Sequence, residues 1–238
     1  MGESEFSLIA KQEYLDLDYA IDKLCSVIHE IIHLHNDFSL KFSSLNHFNL
    51  KKTLVRDIME QVDDSNTYII NKEFLLVLNS YLSKLDKLTI DIDLEYTYGD
   101  YDFRIRVKQP ESIIYKLGHY NSGKQEKGKI PLNKCLNDLL GFRIIMPGFR
   151  HDCELFFKMC SLIEENYKIK YRNSSKGDYK ATHVYFYGDN NKNFPWELQI
   201  WLPEDRAKNY ESHAKHKQEY TMSAKIHKQA LDVLRGGV

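Results

Sequence analysis

A run of positively charged residues near the middle of the chain could bind a phosphate-rich ligand. Arg104, Arg106 and Lys108 alternate with apolar residues. Side chains two apart on a strand share a face, so the three cations should line up together. Ser112 and Lys116 follow four residues apart, on one side of a predicted helix whose amino end could add backbone N–H donors. The pattern predicts a polyphosphate site; the alternative is an edge strand with one solvated face.

Two acidic residues belong to separate predicted strand regions and could share a metal ion. Asp138 comes just before an apolar strand at 142–146, and Glu197 shares a face with Gln199 on a strand at 195–201. A carboxylate on a buried strand requires a cation or a hydrogen-bond donor, and Mg²⁺ prefers one or two carboxylates together with substrate phosphates. Asp138 and Glu197 are therefore candidate magnesium ligands. For each, the alternative is a structural ion pair or a turn residue.

An aromatic residue and two basic residues lie where a loop meets a predicted strand. Tyr179 could stack on a nucleotide base, and Lys180 and His183 could contact phosphates. The same residues would also suit a β-hairpin with an ordinary half-buried tyrosine. The segment is therefore a candidate base-binding site.

These segments, taken in order, resemble the synthetase domain of the RelA/SpoT family. The family pattern reads roughly R-x-K-x-x-x-S-x-x-x-K, then D-x-x-G-x-R, then G-Y-R-S-x-H, then E-x-Q-I. The matching residues in this chain are Arg106, Lys108, Ser112, Lys116, Asp138, Gly141, Arg143, Tyr179, Lys180, His183, Glu197, Gln199 and Ile200. The resemblance covers about residues 90–220. It implies an α/β or α+β fold with a nucleotidyltransferase-like mixed β-sheet flanked by helices.

The resemblance also implies a reaction, in which the β,γ-pyrophosphate of ATP moves to a ribose 3′-hydroxyl. Asp138 would then hold Mg²⁺, and Glu197 would hold Mg²⁺ or act as the base for the attacking hydroxyl. The residues expected to bind ATP are Arg104, Arg106, Lys108, Ser112, Lys116 and Arg143. Of these, Arg143 would flank the adenine. Those expected to bind the acceptor are Tyr179, Lys180, His183, Gln199 and Asn209. Such a site fits phosphoryl transfer, which depends on positioning and charge neutralisation.

The chain departs from the family pattern on the acceptor side. Lys180-Ala181-Thr182 stands where Arg-Ser-Leu is usual, and Trp201-Leu202 stands where Arg-Thr is usual. The segment 209–218 is similar to the toxic small synthetases of toxin–antitoxin pairs, some of which modify the 3′ CCA end of tRNA. The basic segment 166–180 and a helix with four cations would then contact tRNA phosphates; these cations are Arg206, Lys208, Lys215 and Lys217.

Our leading hypothesis is thus an ATP pyrophosphotransferase that acts on the tRNA 3′ end, as a translation-inhibiting toxin with an antitoxin partner. The first alternative is a small alarmone synthetase that makes (p)ppGpp from GDP or GTP. An adenine nucleotide is another candidate acceptor. A third reading is an inactive module that only binds a nucleotide or a partner, but Asp138 and Glu197 are both retained. Small members of the family often form homo-oligomers.

The elements that must position these residues follow from the hydrophobic pattern. Helices are predicted at 11–35, 48–62, 73–88, 111–117, 151–165 and 203–233. Strands are predicted within 89–107, interrupted by a turn at 98–100, and at 142–146, 168–172, 182–187 and 195–201. A Gly- and Lys-rich mobile loop is predicted at 118–131. This order predicts a helical N-terminal extension, residues 1–89, and a synthetase domain, residues 90–238, ending in a long helix.

Composition excludes other classes of protein. The chain has 238 residues, 42% hydrophobic and 28% charged, which is close to globular averages and excludes a largely disordered chain. No apolar run approaches the ~18 residues of a membrane span, and the amino end does not resemble a secretory signal. The net charge of −1 gives no hint of nucleic acid. Four cysteines without a metal-binding pattern, Cys25, Cys135, Cys153 and Cys160, are expected to be reduced in a bacterial or phage-encoded cytoplasmic protein.

Overall fold

The computed structural model describes residues 2–42, 46–61, 68–123 and 127–214. Its helices are α1 (Gly2–Phe42), α2 (Lys72–Asp91), α3 (Leu94–Thr97), α4 (Pro110–Gly118), α5 (Leu132–Cys135) and α6 (Glu154–Glu164). Its strands are β1 (Met59–Gln61), β2 (Tyr68–Ile70), β3 (Arg104–Val107), β4 (Leu140–Ile145), β5 (Ile169–Asn173), β6 (Thr182–Phe186) and β7 (Trp196–Trp201). A further helix, α7, begins at residue 206 and is described to residue 214.

Five strands form one mixed sheet in the order β3-β4-β7-β6-β5. β4 and β7 pair in parallel, whereas the other neighbours pair antiparallel. The central strands β6 and β7 are buried nearly throughout, while the edge strands β3 and β5 carry exposed charged residues, a pattern that discourages pairing with another chain. This sheet, flanked by helices, confirms the predicted fold class.

The long N-terminal helix packs into the same core as the sheet. Leu24, Ile28 and Ile31 of α1 are fully buried and recur at the spacing of one helix face. They belong to one apolar cluster with the sheet residues Phe142 and Trp196. Burial of this stripe stabilises the fold by about 1.5–3 kcal/mol for each large side chain. The predicted boundary between residues 89 and 90 falls within the last turns of α2.

The predicted helix at 48–62 is wrong. The segment instead contains a short 3₁₀ turn, Val55–Ile58, followed by β1, which pairs with β2. The backbone N–H of Val55 donates to the carbonyl of Ile130, 2.9 Å away, and that of Arg56 donates to the carbonyl of Gly128 at 3.1 Å. These partners are distant in the chain, so tertiary pairing overrides the local helical pattern.

The strands predicted within 89–107 form only at its end. α2 continues to Asp91 and α3 follows, so that β3 alone is extended. Short apolar runs fit both periods, and helix and strand are hard to tell apart there. The Glu95 side chain at the end of this helical stretch accepts a hydrogen bond from the backbone N–H of Ile105, at 2.7 Å, and so occupies a free donor of the edge strand.

The structure bears on three further predictions. In the predicted loop at 118–131, His119–Gly123 form one π-helical turn that continues α4, and residues 124–126 lie outside the described residues. The predicted helix at 203–233 is described only to residue 214, so Lys215 and Lys217 lie outside the described residues. Cys135, Cys153 and Cys160 are buried, Cys25 is partly exposed, and all four are free thiols. In the described ranges, no helix is long and apolar enough to cross a membrane.

Candidate functional site

The register of the sheet aligns the polar residues of four strands into two rows. The first row consists of Arg104, Arg143, Gln199 and His183. The second consists of Arg106, Gly141, Glu197 and Tyr185. Alternate residues of a strand point to the same face, so both rows lie on one face of the sheet. Segments that are distant in the chain therefore meet on one surface.

These rows form the floor of a cleft of about 910 Å³, which we call the central cleft. Most of the predicted site residues line it: Arg104, Arg106, Lys108, Ser112, Asp138, Arg143, Tyr179, His183, Glu197 and Gln199. Gly141 leaves space in the floor, because a Cβ there would approach only the Arg106 carbonyl oxygen, at 3.8 Å. The volume is within the range of nucleotide-sized sites. Lys116, Lys180 and Asn209 lie outside the lining.

Asp138 lies between two lysines at one side of the central cleft. Its Oδ2 accepts a hydrogen bond from Lys108 Nζ at 2.8 Å, and its Oδ1 accepts one from Lys116 Nζ at 3.1 Å. Burial alone would raise the pKa of Asp138, but the two ammonium groups outweigh it and lower that pKa to about 2. Asp138 is therefore ionised at neutral pH.

Lys116 lies behind Asp138. Its ammonium donates to Asp138 and also to Asn137 Oδ1, at 3.2 Å. Burial alone would lower the pKa of Lys116, but the surrounding acidic groups, with Asp138 the largest contributor, together outweigh burial and raise it. Since Lys116 touches the carboxylate from outside the cleft lining, the structure places it where it orients Asp138. Its predicted contact with ATP stays a prediction.

Glu197 occupies the middle of the sheet and is held by two neighbours. His183 Nδ1 lies 2.9 Å from Glu197 Oε1, and Gln199 Nε2 donates to Glu197 Oε2 at 2.8 Å. Burial alone would raise the pKa of Glu197, but His183 outweighs it and lowers that pKa. The carboxylate is therefore charged in the cleft, as a base or a metal ligand must be.

Tyr179 is presented to the cleft by a tight hairpin. The backbone N–H of Lys176 donates to the carbonyl of Tyr179 at 2.8 Å, across a turn in which Gly177 has φ of +60°, a conformation that glycine adopts without strain. The Tyr179 hydroxyl then lies 2.9 Å from His183 Nε2. Burial raises the pKa of Tyr179, with Glu197 adding to the effect, so the hydroxyl remains protonated.

Aromatic residues extend this side of the cleft towards α7. Trp201 and His213 contact Tyr179, with ring centroids 6.3 and 5.5 Å away. Tyr210 meets Trp201 edge to face at 5.5 Å. Trp201 stands where the family pattern has arginine. His213 and Tyr210 belong to α7, a helix for which the sequence predicts only contacts between its cations and tRNA phosphates. The sequence analysis therefore missed this aromatic wall, formed by Trp201, Tyr210 and His213.

Arg143 packs against two aromatic rings. Its Cζ lies 4.8 Å from the centroid of Trp201 and 4.9 Å from that of Tyr210, the geometry of cation–π contacts. The two ring centroids are only 5.5 Å apart, so the rings do not lie on opposite faces of the guanidinium. Trp201 is buried in β7, whereas Tyr210 is 41% exposed on α7, so Tyr210 is the ring that can move.

Two of the predicted acceptor residues bond to each other. Asn209 is fully buried, its Oδ1 accepts from the Lys180 N–H at 2.8 Å, and its Nδ2 donates to the Lys180 carbonyl at 2.7 Å. The side-chain amide is thus used to attach α7 to the segment that carries Tyr179. The structure places Asn209 as a bracing residue, and a direct contact with an acceptor stays a prediction.

Asp138 and Glu197 provide the oxygen ligands that a magnesium ion would require. Both are ionised and line the same cleft, and carboxylate oxygen is a ligand type that Mg²⁺ prefers. Among the described residues, no group of three or more His, Cys, Asp or Glu could hold a metal ion. The site fits Mg²⁺ in the way that suits a phosphate substrate, with the remaining ligands supplied by phosphate oxygens and water.

Comparisons with known proteins give one family and several solved structures. A model of the region found in RelA and SpoT proteins matches residues 105–225, just over half of the chain. Small alarmone synthetase 1 from Bacillus subtilis is 22% identical, with 69% of this chain and 86% of that chain covered, at a TM-score of 0.35. A GTP pyrophosphokinase family protein from Streptococcus pneumoniae is 18% identical, with coverages of 68% and 90% and a TM-score of 0.32. No curated protein matches the chain.

Proposed function

The chain belongs to the RelA/SpoT family, and from that premise we propose that it is an ATP pyrophosphotransferase acting on a ribose 3′-hydroxyl. One observation carries the proposal. A single cleft contains Asp138 between Lys108 and Lys116 at one side and Glu197 beside His183 and Tyr179 at the other. Cations for a polyphosphate and a base for a hydroxyl thus face the same space.

The donor, ATP, would lie along β3 and the start of α4. Arg104 and Arg106 are exposed on the cleft side of β3, and Lys108 follows them. Ser112, in the first turns of the nine-residue helix α4, faces the same space, and the amino end of a helix favours phosphate. We assign the triphosphate to these residues and the adenine to Arg143.

Asp138 would hold the Mg²⁺ ion together with phosphate oxygens of ATP, and Glu197 would either share the ion or act as the base. The ion would supply charge neutralisation on the phosphates during transfer. Lys108 and Lys116 keep the Asp138 carboxylate ionised and oriented. These residues stabilise charge and position the donor, which is most of what a phosphoryl transfer requires.

Glu197 would act as the base on the acceptor. The 3′-hydroxyl oxygen attacks the β-phosphorus of ATP, the bond from that phosphorus to the α–β bridging oxygen breaks, and AMP leaves. The hydroxyl proton passes to Glu197, whose carboxylate is already ionised through its pairing with His183. Tyr179, within reach of His183, would stack on the base of the acceptor.

For the acceptor we propose the 3′ end of tRNA. The first polar row continues from His183 onto the edge strand, where Arg172 lies opposite it and is exposed. Lys176 lines the cleft beside Tyr179. Cations therefore extend from the active site to the edge strand β5, where the phosphates of a longer acceptor would lie. Tyr210 and His213, the exposed members of the aromatic wall, offer stacking surface for unpaired bases.

The second candidate acceptor is GDP or GTP. The net charge of the chain is −1, which favours a small acceptor over a large RNA footprint. Product of this kind would make the protein an alarmone synthetase. The tRNA reading, by contrast, makes it a translation-inhibiting toxin of the bacterial cytoplasm, neutralised by an antitoxin protein. With either acceptor, we propose that the protein can form a homo-oligomer.

A transfer assay with several acceptors tests the proposal. Full-length protein would be incubated with γ-³²P-labelled ATP, Mg²⁺ and one of GDP, GTP, ATP, deacylated tRNA or tRNA lacking its 3′ CCA. We expect label on intact tRNA and none on the truncated form. Label on GDP or GTP alone would contradict the tRNA reading and establish the alarmone one. Arg172→Ala should weaken transfer to tRNA while leaving transfer to a nucleotide less affected, whereas the exposed Lys158→Ala on α6 serves as the matched control.

A further inference from the structure

An aspartate outside the family pattern occupies an unusual backbone conformation at the start of β3. Asp102 has φ and ψ both of 44°, in the left-handed region, where it ends the 3₁₀ turn Gly99–Tyr101. Residues other than glycine enter this region rarely, and Asp and Asn do so more readily than most. The conformation turns the Asp102 side chain towards the donor end of the central cleft, where only 17% of it is exposed.

Three arginines from three different elements surround this carboxylate. Arg104 Nε of β3 donates to Asp102 Oδ1 at 2.9 Å. Arg206 Nη2 of α7 lies 3.1 Å from Oδ2, and Arg143 Nη2 of β4 lies 3.7 Å from the same oxygen. One negative charge therefore stands among three positive charges, beside the surface that we assign to ATP. The excess of cations leaves this corner attractive to an anion even with Asp102 present.

The contacts leave Arg143 with its orientation determined from several sides. Trp201 and Tyr210 contact its guanidinium, and Asp102 faces its terminal nitrogen. Trp201 and Asp102 are both largely buried, so they are the groups that would hold the guanidinium when an adenine binds. A flexible arginine would otherwise lose conformational entropy on binding.

We infer that Asp102 is a positioning residue for ATP, which holds Arg143 and Arg104 in their binding geometry and ties α7 to the donor side through Arg206. This inference rests on the proposed function, because it takes Arg143 as part of the ATP site. Asp102 itself does not contact the reacting atoms. The inference does not depend on whether the acceptor is tRNA or a nucleotide.

Removal of the Asp102 charge has two opposing effects on the affinity for ATP, so the direction in which the Kd changes tests the inference. Without the carboxylate, the three guanidinium groups repel one another and lose their common orientation, which weakens ATP binding. The site also becomes more positive by one charge, which strengthens ATP binding. If Asp102 positions the arginines, the first effect prevails; if it only lowers the positive potential, the second does.

The test uses Asp102→Asn, which keeps the side-chain shape and tolerance of the left-handed conformation but removes the charge. Binding of the non-hydrolysable analogue α,β-methylene-ATP with Mg²⁺ would be measured by calorimetry on the full chain, and the KM for ATP and the kcat by transfer assay. We expect the Kd and KM to rise about ten-fold, within the range of coupling between contacting residues, with a smaller change in kcat. Asp102→Glu should restore part of the loss. The exposed neighbour Asp100→Asn is the matched control.

A double-mutant cycle with Arg143→Met separates positioning from general damage. If Asp102 acts through Arg143, Asp102→Asn should cost little further affinity once Arg143 is replaced. An equal loss in both backgrounds, or an unchanged or lower Kd in Asp102→Asn, would overturn the inference. If the wild type binds the analogue but transfers nothing, only the proposed function is overturned. The Kd values of the wild type and Asp102→Asn would still test the role of Asp102. A wild type that binds no analogue would overturn both.

Discussion

His183 Nδ1 lies 2.9 Å from Glu197 Oε1, across two neighbouring antiparallel strands and one diagonal step out of register. The cross-strand partner of Glu197 is Tyr185, and that of His183 is Gln199. The diagonal contact therefore joins the two polar rows of the sheet, a reach that cross-strand geometry permits for long side chains. It places the general base that we propose beside the residue that keeps it ionised.

The first prediction concerns the pH dependence of transfer. His183 lowers the pKa of Glu197 below its ordinary value of 4.5, so the base should remain ionised, and kcat should persist, below that pH. His183→Gln removes this effect, raises the pKa of Glu197 and should move the acidic limb of the kcat profile to higher pH. The exposed His33→Gln on α1 is the control. An acidic limb at the same pH in His183→Gln and wild type would contradict this role.

The second prediction concerns stability in acid. The pKa of Asp138 falls from 3.8 in the unfolded chain to about 2 in the fold, which corresponds to about 2 kcal/mol of stabilisation. Because the folded pKa is the lower one, this contribution is complete above pH 4 and is lost as the pH falls through 2. Denaturant unfolding should show that the wild type exceeds Asp138→Asn in stability above pH 4 and that the difference shrinks towards pH 2. A difference that stays constant over this range would refute the ion-pair account, and the exposed Asp178→Asn is the matched control.

The third prediction separates the ring of Tyr179 from its hydroxyl group. Stacking on a base contributes about 1–3 kcal/mol, so Tyr179→Ala should raise the KM for the acceptor between about five-fold and one-hundred-fold. Tyr179→Phe keeps the ring and loses the hydroxyl with its contact to His183 Nε2, so its effect on this KM should be smaller. The KM for ATP is the internal comparison. An equal rise in both KM values for Tyr179→Ala would show that the residue supports the whole cleft rather than the acceptor.

The fourth prediction concerns the ring that covers Arg143. Tyr210 contacts its guanidinium at 4.9 Å, and an exposed contact of this type contributes about 0.5–1 kcal/mol. If the adenine replaces Tyr210 on Arg143, Tyr210→Ala removes a competing contact, and the KM for ATP should fall by about two- to five-fold. Phe in place of Tyr210 retains the ring and is the matched control. A higher KM for ATP in Tyr210→Ala would mean that Tyr210 assists the nucleotide.

Much of the site could be predicted because strand residues carry it. The two-residue period of β3 places Arg104 and Arg106 on one face whatever the surroundings, and the same period pairs Glu197 with Gln199 on β7. Strand order and register then decide which of these faces meet. No local pattern contains that information, so the diagonal contact between His183 and Glu197 emerges only in the folded sheet.

What could not be predicted depends on contacts between distant segments. Asp102 meets Arg206 of α7, although the helical pattern predicts only that Arg206 contacts tRNA phosphates and Asp102 belongs to no recognisable pattern. Asn209 was assigned to the acceptor from its place in the tail, whereas its buried amide bonds to the backbone of Lys180. The helix predicted at 48–62 gave way to backbone pairing with the segment around Ile130.

The most direct test of the central claim is the identity of the nucleotide released from ATP. With α-³²P-labelled ATP, Mg²⁺ and a mixture of deacylated tRNA, GDP and GTP, the wild type should release AMP in step with acceptor labelled from γ-³²P-labelled ATP. The rate of transfer by Glu197→Gln should be about 10²–10⁴-fold lower than that of the wild type, which is the usual contribution of a general base. The rate of the exposed control Glu165→Gln should match the wild type. Release of ADP would show a phosphate rather than a pyrophosphate transfer, and full activity in Glu197→Gln would contradict the account of the site.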